Sequence, residues 1–93
     1  MIQSFKNDLA HRLFSGARSA DFPPDIRKRA RRKLEMIHYA NDLIDLKSPP
    51  GNRLKPLKGN RQGQYSIRIN DQWRICFRFD NGNAYDVEVT DYH

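Results

Sequence analysis

From residue 65 to residue 90 the chain alternates hydrophobic and polar side chains with a period of two. The hydrophobic residues take odd positions in three runs: Tyr65, Ile67 and Ile69; Trp73, Ile75, Phe77 and Phe79; and Tyr85, Val87 and Val89. The short polar stretches NDQ and NGN separate these runs. Such a pattern predicts an antiparallel meander of three strands. Its odd-numbered face should pack against the rest of the protein, and its even-numbered face should be open.

The N-terminal half has helical spacing instead. The segment MIQSF is short and apolar enough for a first strand, and KNDLAHRLFSG predicts a helix after it. This helix has Asn7 or Asp8 as its cap and Gly16 as its end. Its apolar face consists of Leu9, Leu13 and Phe14. The segment ARSADF then reads as a loop.

A long second helix is predicted over PPDIRKRARRKLEMIHYANDLIDL, entered through proline and with Asp25 in its first turn. The three-to-four spacing runs through Ile26, Ala30, Leu34, Ile37 and Asn41. The other faces carry a basic cluster of Arg27, Lys28, Arg29, Arg31, Arg32 and Lys33. Without interleaved aromatic or base-reading side chains, this cluster favours a solvated face or an acidic partner over a nucleic-acid-reading helix.

Length and composition predict a single α+β domain over residues 1–93. KSPPGNRLKPLKGNRQGQ is a Pro- and Gly-rich connector between the two halves. A lone cysteine, Cys76, excludes an internal disulfide framework and fits a reducing compartment; we expect it to be covered. With no signal peptide or membrane span in the sequence, the expected location is the cytoplasm. Neither a Gly-rich phosphate loop nor a Cys/His metal spacing is present.

The charge is both high and concentrated. A formal net charge of +6 points to a polyanionic partner, which is nucleic acid, an acidic protein or a membrane surface. Between residues 53 and 78 seven basic side chains face one acid, Asp71. The seven are Arg53, Lys55, Lys58, Arg61, Arg68, Arg74 and Arg78. Because they fall on the even face of the predicted sheet and on the connector before it, they predict a phosphate-binding surface.

The final residues Asp91, Tyr92 and His93 follow a strand that should lie beside the one bearing Arg74 and Arg78. RNA can be cleaved without a metal when its 2′-OH attacks the adjacent phosphorus. Such a site needs a base for the 2′ proton, an acid for the 5′ oxygen and cations for the phosphorane. Imidazole titrates near ~6.5 and suits either proton transfer, and an ionised aspartate is a base or an imidazole orienter. From these residues alone, a ribonuclease and a binding module are equally supported.

RLKPLKGNRQGQYSIRINDQWRICFRF and AYDVEVTDYH together resemble the HigB family of bacterial toxins, within the wider RelE/ParE group. MIQSF and SPPGNRL extend the resemblance over essentially the whole chain, and the combination of PLKG, WRI and a terminal DYH is specific. The resemblance implies a RelE/ParE-like fold. An N-terminal strand and two helices would pack on one face of a mostly antiparallel sheet with a C-terminal β-meander.

Members of this family are ribosome-dependent mRNA interferases. The resemblance therefore implies an endoribonuclease that cuts translated mRNA in the A site of the 70S ribosome and needs no metal or other cofactor. It also implies a HigA-type helix-turn-helix antitoxin as partner, with operator DNA bound only through the antitoxin complex. On this interpretation the basic cluster of the long helix contacts ribosomal RNA or the antitoxin.

By resemblance, Lys58 matches the catalytic-loop lysine, and Asp91, Tyr92 and His93 match the terminal catalytic group. Arg74 matches a phosphate-facing arginine. We assign His93 as general acid and Asp91 as base or imidazole orienter, although these two labels are exchangeable, and Tyr92 to substrate positioning. The remaining cations, Arg53, Lys55, Arg61, Arg68 and Arg78, are assigned to RNA phosphate.

The chain departs from the family pattern at Lys55, where many members have a histidine. Lysine binds phosphate but is a poor proton shuttle at neutral pH, so proton transfer should rest on Asp91 and His93. The main rival is a non-enzymatic, gyrase-inhibiting toxin of the ParE branch, in which DYH is structural and the basic face docks a protein. An operator-binding repressor is disfavoured because the sequence has no helix-turn-helix pattern.

Overall fold

The sheet is a four-stranded antiparallel meander with two helices on one face. The computed structural model describes residues 1–17 and 22–91. It contains α1 (Asp8–Ser15), α2 (Pro24–Tyr39), β1 (Lys55–Pro56), β2 (Tyr65–Arg68), β3 (Trp73–Asp80) and β4 (Asn83–Asp91), with short 3₁₀ turns at Leu43–Lys47, Pro50–Asn52 and Gly59–Arg61. The strand order is β1-β2-β3-β4. The α+β prediction is confirmed, while most of the predicted ARSADF loop lies outside the described residues.

The core lies between the odd-numbered sheet face and the helices, as the alternation predicted. Its sheet side is Ile67, Ile69, Ile75, Phe77, Val87 and Val89, all at most 2% exposed. Its helix side is Ala10, Leu13, Ala30, Leu34 and Ile37. Each fully buried Leu, Ile or Phe contributes about 1.5–3 kcal/mol, so this layer dominates the stability of the fold.

Both predicted ends of α1 are confirmed. The Asn7 side-chain oxygen accepts a hydrogen bond from the Ala10 N–H at 3.1 Å, and Gly16 closes the helix in a left-handed conformation with φ of 83°. The Asn7 amide also donates to the Val89 carbonyl at 2.9 Å. The cap therefore fixes α1 to β4 as well as starting the helix.

The second helix is shorter than predicted, because it ends at Tyr39 and Ala40 is extended. The Asp45 carboxylate accepts hydrogen bonds from the N–H groups of Asn41, at 3.0 Å, and Asp42, at 3.1 Å. This capping box starts a separate 3₁₀ turn and satisfies amides that a continuing helix would have used. Asn41 is consequently exposed, and its predicted place on the apolar stripe was wrong. Among the described residues, no helix is long and apolar enough to cross a membrane.

A bulge near the start of β4 interrupts the predicted alternation of buried odd-numbered and open even-numbered residues. The β3–β4 register shifts between Cys76 and Arg78, and Asp86 has a positive φ of 53°. Before the bulge Ala84 is fully buried, whereas Tyr85 lies opposite Arg78 and is 37% exposed. The prediction that Tyr85 belongs to the core face was therefore wrong, and the alternation is correct only from Val87 onward.

The N-terminal segment pairs with β4 in parallel, on the edge away from β3. It forms two isolated bridges, Ile2 with Ala84 and Phe5 with Val87, in place of the continuous strand that was predicted. The bulge separates the two bridges, and there the Ser4 hydroxyl accepts the Asp86 N–H at 2.9 Å. β4 is thus an inner strand, with β3 on one side and the first residues of the chain on the other.

Asn52 organises the connector between α2 and the sheet. It is fully buried, and its side-chain amide donates to the carbonyls of Leu46, at 3.2 Å, and Ser48, at 3.3 Å. Its side-chain oxygen accepts from the Lys33 ammonium on α2. The predicted Pro- and Gly-rich connector is therefore a set of short turns tied to the helix through one buried amide.

Candidate active site

The even-numbered sheet face is only partly open, because the loop of residues 57–64 lies over it. Ser66, Cys76 and Glu88 lie opposite one another across β2, β3 and β4, and Arg74 and Thr90 form the next pair along β3 and β4. Ser66 is fully buried and Cys76 is 3% exposed, although both belong to the polar face. The prediction of an open face was wrong here, where Leu57 and Arg61 of the loop line a cleft together with Ser66 and Cys76.

The 57–64 loop is a closed structure. Leu57 N–H donates to the Gln64 carbonyl at 2.8 Å at its base, and Gln64 N–H donates to the Arg61 carbonyl at 3.0 Å. Gly63 has φ of 92°, and a Cβ there would lie 2.9 Å from Arg78 Nη1. The positive φ favours glycine at this position, and the contact places the loop beside the Arg78 side chain of β3.

Two adjoining clefts lie where this loop meets the sheet. Cleft A, of about 450 Å³, is lined by Leu57, Arg61, Ser66, Arg74, Cys76, Thr90 and Asp91. Cleft B, of about 460 Å³, is lined by Lys55, Pro56, Leu57, Lys58 and Arg61. They share the side chains of Leu57 and Arg61, so they form one continuous concave surface. Four predicted cations and the predicted aspartate are therefore brought together on it.

Asp91 is the last described residue and lies at one rim of cleft A. Its Cα is paired with that of Trp73, and its carboxylate accepts a hydrogen bond from Gln72 Nε2 at 3.2 Å. Arg74 on the neighbouring strand directs Nη1 to the Ser66 hydroxyl at 3.5 Å. The prediction that the last strand lies beside the one bearing Arg74 is confirmed. The predicted site residues Tyr92 and His93 lie outside the described residues.

Arg61 forms an ion pair with an acid of the neighbouring strand. Its Nη1 donates to the Glu88 carboxylate at 2.9 Å and to the Gln64 side-chain oxygen at 3.2 Å. The hydrogen bond that Arg61 donates to Glu88 raises the pKa of Arg61. The charge of Arg61 is therefore largely offset within the protein itself.

The other three predicted phosphate-binding residues do not line the clefts. Arg78 pairs with Asp86 at 3.6 Å, Arg68 pairs with Asp71, and Arg53 is exposed in a left-handed conformation with φ of 47°. Arg68 contributes to a different groove, of about 310 Å³, whose other cations are Arg29, Arg32 and Lys33 of α2. Burial lowers the pKa of Lys33, and the nearby charges of Arg29, Arg32 and Arg68 lower it further.

The remaining cations of the α2 basic cluster are on another side of the helix. Arg27, Lys28 and Arg31 line a third groove, of about 300 Å³, together with Leu13, Gly16, Ala17 and Pro24 at the junction with α1. The cluster that the sequence presents as continuous is thus divided between two grooves. Neither groove shares a lining residue with clefts A and B.

The sequence interpretation missed Ser66, Glu88 and Thr90, and it left open whether Cys76 lies near the site or is merely covered. All four have even numbers within the meander, so the same alternation that selected the arginines also selects them. Cys76 is covered, as expected, and also lines cleft A. Burial raises the pKa of its thiol, and the nearby Arg61 acts in the opposite direction. Within residues 1–17 and 22–91, no three His, Cys, Asp or Glu side chains are grouped so that they could hold a metal ion.

Comparison with known proteins gives a consistent result. Residues 3–93 match the family described as "RelE-like toxin of type II toxin-antitoxin system HigB". "Endoribonuclease HigB" of Proteus vulgaris is 37% identical over 93 residues, which is all of both chains. "Toxin HigB-1" of Vibrio cholerae is 39% identical over 82 residues, or 88% of this chain and 78% of that protein.

The fold also matches solved structures of low sequence identity. A chain of the YoeB–YefM complex from Staphylococcus aureus superposes with a TM-score of 0.63 at 18% identity, covering 100% of this chain and 98% of that one. YafQ from Escherichia coli gives 0.62 at 12% identity, covering 98% and 91%. These two likenesses concern the fold, and they agree with the RelE/ParE-like architecture inferred from the sequence.

Proposed function

Because the chain belongs to the HigB-like family of RelE-like toxins of type II toxin–antitoxin systems, we propose that it is a ribosome-dependent endoribonuclease acting on translated mRNA. The observation that carries this proposal is the convergence of Lys55, Lys58, Arg74 and Asp91 on the continuous surface of clefts A and B. Three cations and one carboxylate around a groove supply the charge stabilisation and the base that transesterification of a phosphodiester requires.

The proposed reaction is an internal transfer at phosphorus. The 2′-oxygen of the RNA attacks the adjacent phosphorus, its proton passes to a base, and the bond to the 5′-oxygen breaks as an acid protonates that oxygen. The products are a 2′,3′-cyclic phosphate and a 5′-hydroxyl. We assign the base to Asp91 and the acid to His93, with the two roles exchangeable, and substrate positioning to Tyr92. Lys58 and Arg74 stabilise the charge that develops on the phosphorane oxygens.

The ribosome supplies geometry that the clefts alone do not. They are shallow and shared between a loop and a sheet face, so a free RNA is not fixed in line for attack. A ribosome that holds the mRNA bent in the A site would place the 2′-oxygen in line with the leaving 5′-oxygen. Such orientation of the reacting atoms is worth several powers of ten in rate. On this proposal the α2 grooves face ribosomal RNA or the antitoxin, and binding to ribosomes weakens steeply with salt.

The family membership also supports an antitoxin partner. One of the solved neighbours is a toxin–antitoxin complex, YoeB–YefM. We propose a HigA-type helix-turn-helix antitoxin for this chain, with operator DNA bound by the complex through the antitoxin and not by the toxin alone.

The proposal is tested by incubating purified protein with a defined mRNA, with and without programmed 70S ribosomes, and mapping the new RNA ends. We expect cuts within codons that require the ribosome and that leave cyclic phosphate and 5′-hydroxyl ends. If the mRNA stays intact while expression of the protein still arrests growth, the ribonuclease proposal fails. Inhibition of DNA gyrase supercoiling would then favour the non-enzymatic alternative.

Arg74→Met should lower kcat about a hundredfold in the same assay, because it removes one charged donor from the transition state and keeps the aliphatic stem. Arg74→Lys should recover only part of the rate, because an ammonium has no bidentate geometry. Arg12→Met removes a cation of α1 that lines neither cleft and serves as the control. An Arg74→Met protein with unchanged kcat would remove this residue from the mechanism.

Lys55→His should increase cleavage severalfold near neutral pH, since imidazole accepts and donates protons there while the ammonium only binds phosphate. Lys55 lines cleft B at the end of β1, where a histidine side chain faces the same surface. The measurement is single-turnover cleavage between about pH 6 and pH 8, near the ordinary pKa of histidine. A rate equal to or below wild type across that interval would show that position 55 takes no part in proton transfer.

A further inference from the structure

Arg61 connects two parts of the site that are far apart in sequence. It follows Lys58 in the 57–64 loop, and its guanidinium reaches across the sheet to Glu88 on β4, 27 residues later. The same Nη1 bonds to Gln64 at the base of its own loop. A single side chain therefore joins the loop that carries Lys58 to the strand that ends in Asp91.

The ion pair is partly shielded from water. The Glu88 side chain is 17% exposed and the Arg61 side chain 36%, at a separation of 2.9 Å. A charged hydrogen bond with this geometry is short and directional, in contrast to the fully solvated pairs that contribute little. The Asp8–Arg12 pair on α1 is a useful comparison, because it is longer, at 3.6 Å, and its side chains are 77% and 43% exposed.

The loop is anchored at both ends by the β1–β2 ladder, and Arg61 links its middle to β4. Its backbone hydrogen bonds close on themselves, with Arg61 N–H donating to the Lys58 carbonyl at 3.2 Å and Gln62 N–H to the Gly59 carbonyl at 3.1 Å. These bonds fix the shape of the loop but make no link to β4. The separation between Lys58 and β4 therefore depends in part on the hydrogen bond from Arg61 to Glu88.

We propose that Arg61 and Glu88 are positioning residues, whose ion pair holds Lys58 at a fixed separation from β4, and that Arg61 does not bind the substrate phosphate. This inference rests on the proposed ribonuclease function and reassigns Arg61 from the phosphate-binding set. A phosphate at Arg61 would have to displace a carboxylate that is already hydrogen-bonded to it, or share the guanidinium with that like-charged group. Neither arrangement favours binding, whereas the bonded pair preorganises the loop before substrate arrives.

The kinetic test compares Arg61→Met, Glu88→Ala and the double variant in ribosome-dependent cleavage. We expect each single change to lower kcat about tenfold with KM altered less than about threefold, because a displaced lysine loses transition-state stabilisation more than ground-state binding. The double variant should be no slower than the slower single variant, since both remove the same contact. The exchanged pair, Arg61→Glu with Glu88→Arg, should recover most of the rate.

The alternative, in which Arg61 binds phosphate, predicts a different result. Arg61→Met would then raise KM, whereas Glu88→Ala would release Arg61 for the substrate and lower KM. That pair of outcomes, or additive losses in the double variant, would overturn the proposal. Asp8→Asn, which breaks the exposed ion pair of α1, is the matched control and should leave both constants at their wild-type values.

A second readout does not depend on RNA cleavage. Cys76 is the only cysteine, lies opposite Glu88 in the sheet, and lines cleft A together with Arg61. If the ion pair holds the loop down, Glu88→Ala should increase the rate at which Ellman's reagent labels Cys76 about tenfold in the folded protein, through local opening. Labelling at the wild-type rate in both Glu88→Ala and Arg61→Met would overturn the proposal. A wild-type protein that cleaves no RNA would refute the proposed function and leave this readout intact.

Discussion

Replacing His93 with alanine should lower ribosome-dependent cleavage about a thousandfold while leaving the thermal unfolding temperature within a few degrees of wild type. The chemistry requires a group that donates a proton to the leaving 5′-oxygen at neutral pH, and such general acid catalysis is worth 10²–10⁴-fold in rate. Lysine and arginine side chains are ordinarily too basic to take over this role at neutral pH. Imidazole is the ordinary side chain with that capacity.

The measurement is single-turnover cleavage on programmed ribosomes by wild type, His93→Ala and His93→Gln. Glutamine keeps a hydrogen-bond donor of similar reach, so it separates hydrogen bonding from proton transfer. Both variants should be equally slow if His93 is the acid. Full activity in His93→Gln would show that position 93 only binds substrate, and the acid would then have to be sought among the other cleft residues.

Asn52→Ala should lower the free energy of unfolding by about 3 kcal/mol, because it removes the hydrogen-bond partner of the Leu46 and Ser48 carbonyls and of the Lys33 ammonium. For a chain of this size that corresponds to a fall in Tm of about 15 °C. Lys33→Met should be less damaging, since it also removes a cation that lies close to Arg29, Arg32 and Arg68. The two effects are measured by chemical or thermal denaturation of the purified variants.

Asn41→Ala is the matched control, because Asn41 is an exposed asparagine just beyond α2. It should change the unfolding free energy by less than about 0.5 kcal/mol, as surface substitutions generally do. An Asn52→Ala protein as stable as this control would mean that water takes over the hydrogen bonds of the connector. The role assigned to Asn52 in fixing the turns to α2 would then be wrong.

The meander could be predicted from the sequence because one face is buried and alternation reports burial directly. Ile67, Ile75 and Val89 obey it because their strands are regular. Tyr85 does not, because a bulge at Asp86 shifts the register, and an aspartate with positive φ carries no signal that glycine would have given. The end of α2 was missed for a related reason: a local capping box with Asp45 competes with helix continuation, and propensity alone does not decide between them.

The candidate site could be predicted as a set of cations but not as an arrangement. The sequence shows how many basic side chains there are. Whether each one can bind phosphate depends on which acid lies beside it in the fold. Arg61 and Arg78 look alike on the even face, yet Glu88 lies against the first and Asp86 against the second. Arg68 lines a groove together with residues of α2, and strand periodicity does not encode that arrangement. The missing information is tertiary: the path of the 57–64 loop over the sheet decides which side chains line the clefts.

The inner position of β4 has a consequence for how the protein is made. β4 follows every other element along the chain, yet it pairs with β3 on one side and with the first residues on the other, through contacts that span as many as 82 positions. A growing polypeptide therefore has neither the complete sheet nor cleft A until residues 83–91 have left the ribosome, and such long-range pairing is slow to form. A translation product interrupted before that point carries the loop lysines with nothing opposite them. If the proposed site is the source of toxicity, we expect the protein to become toxic only after β4 has been synthesised.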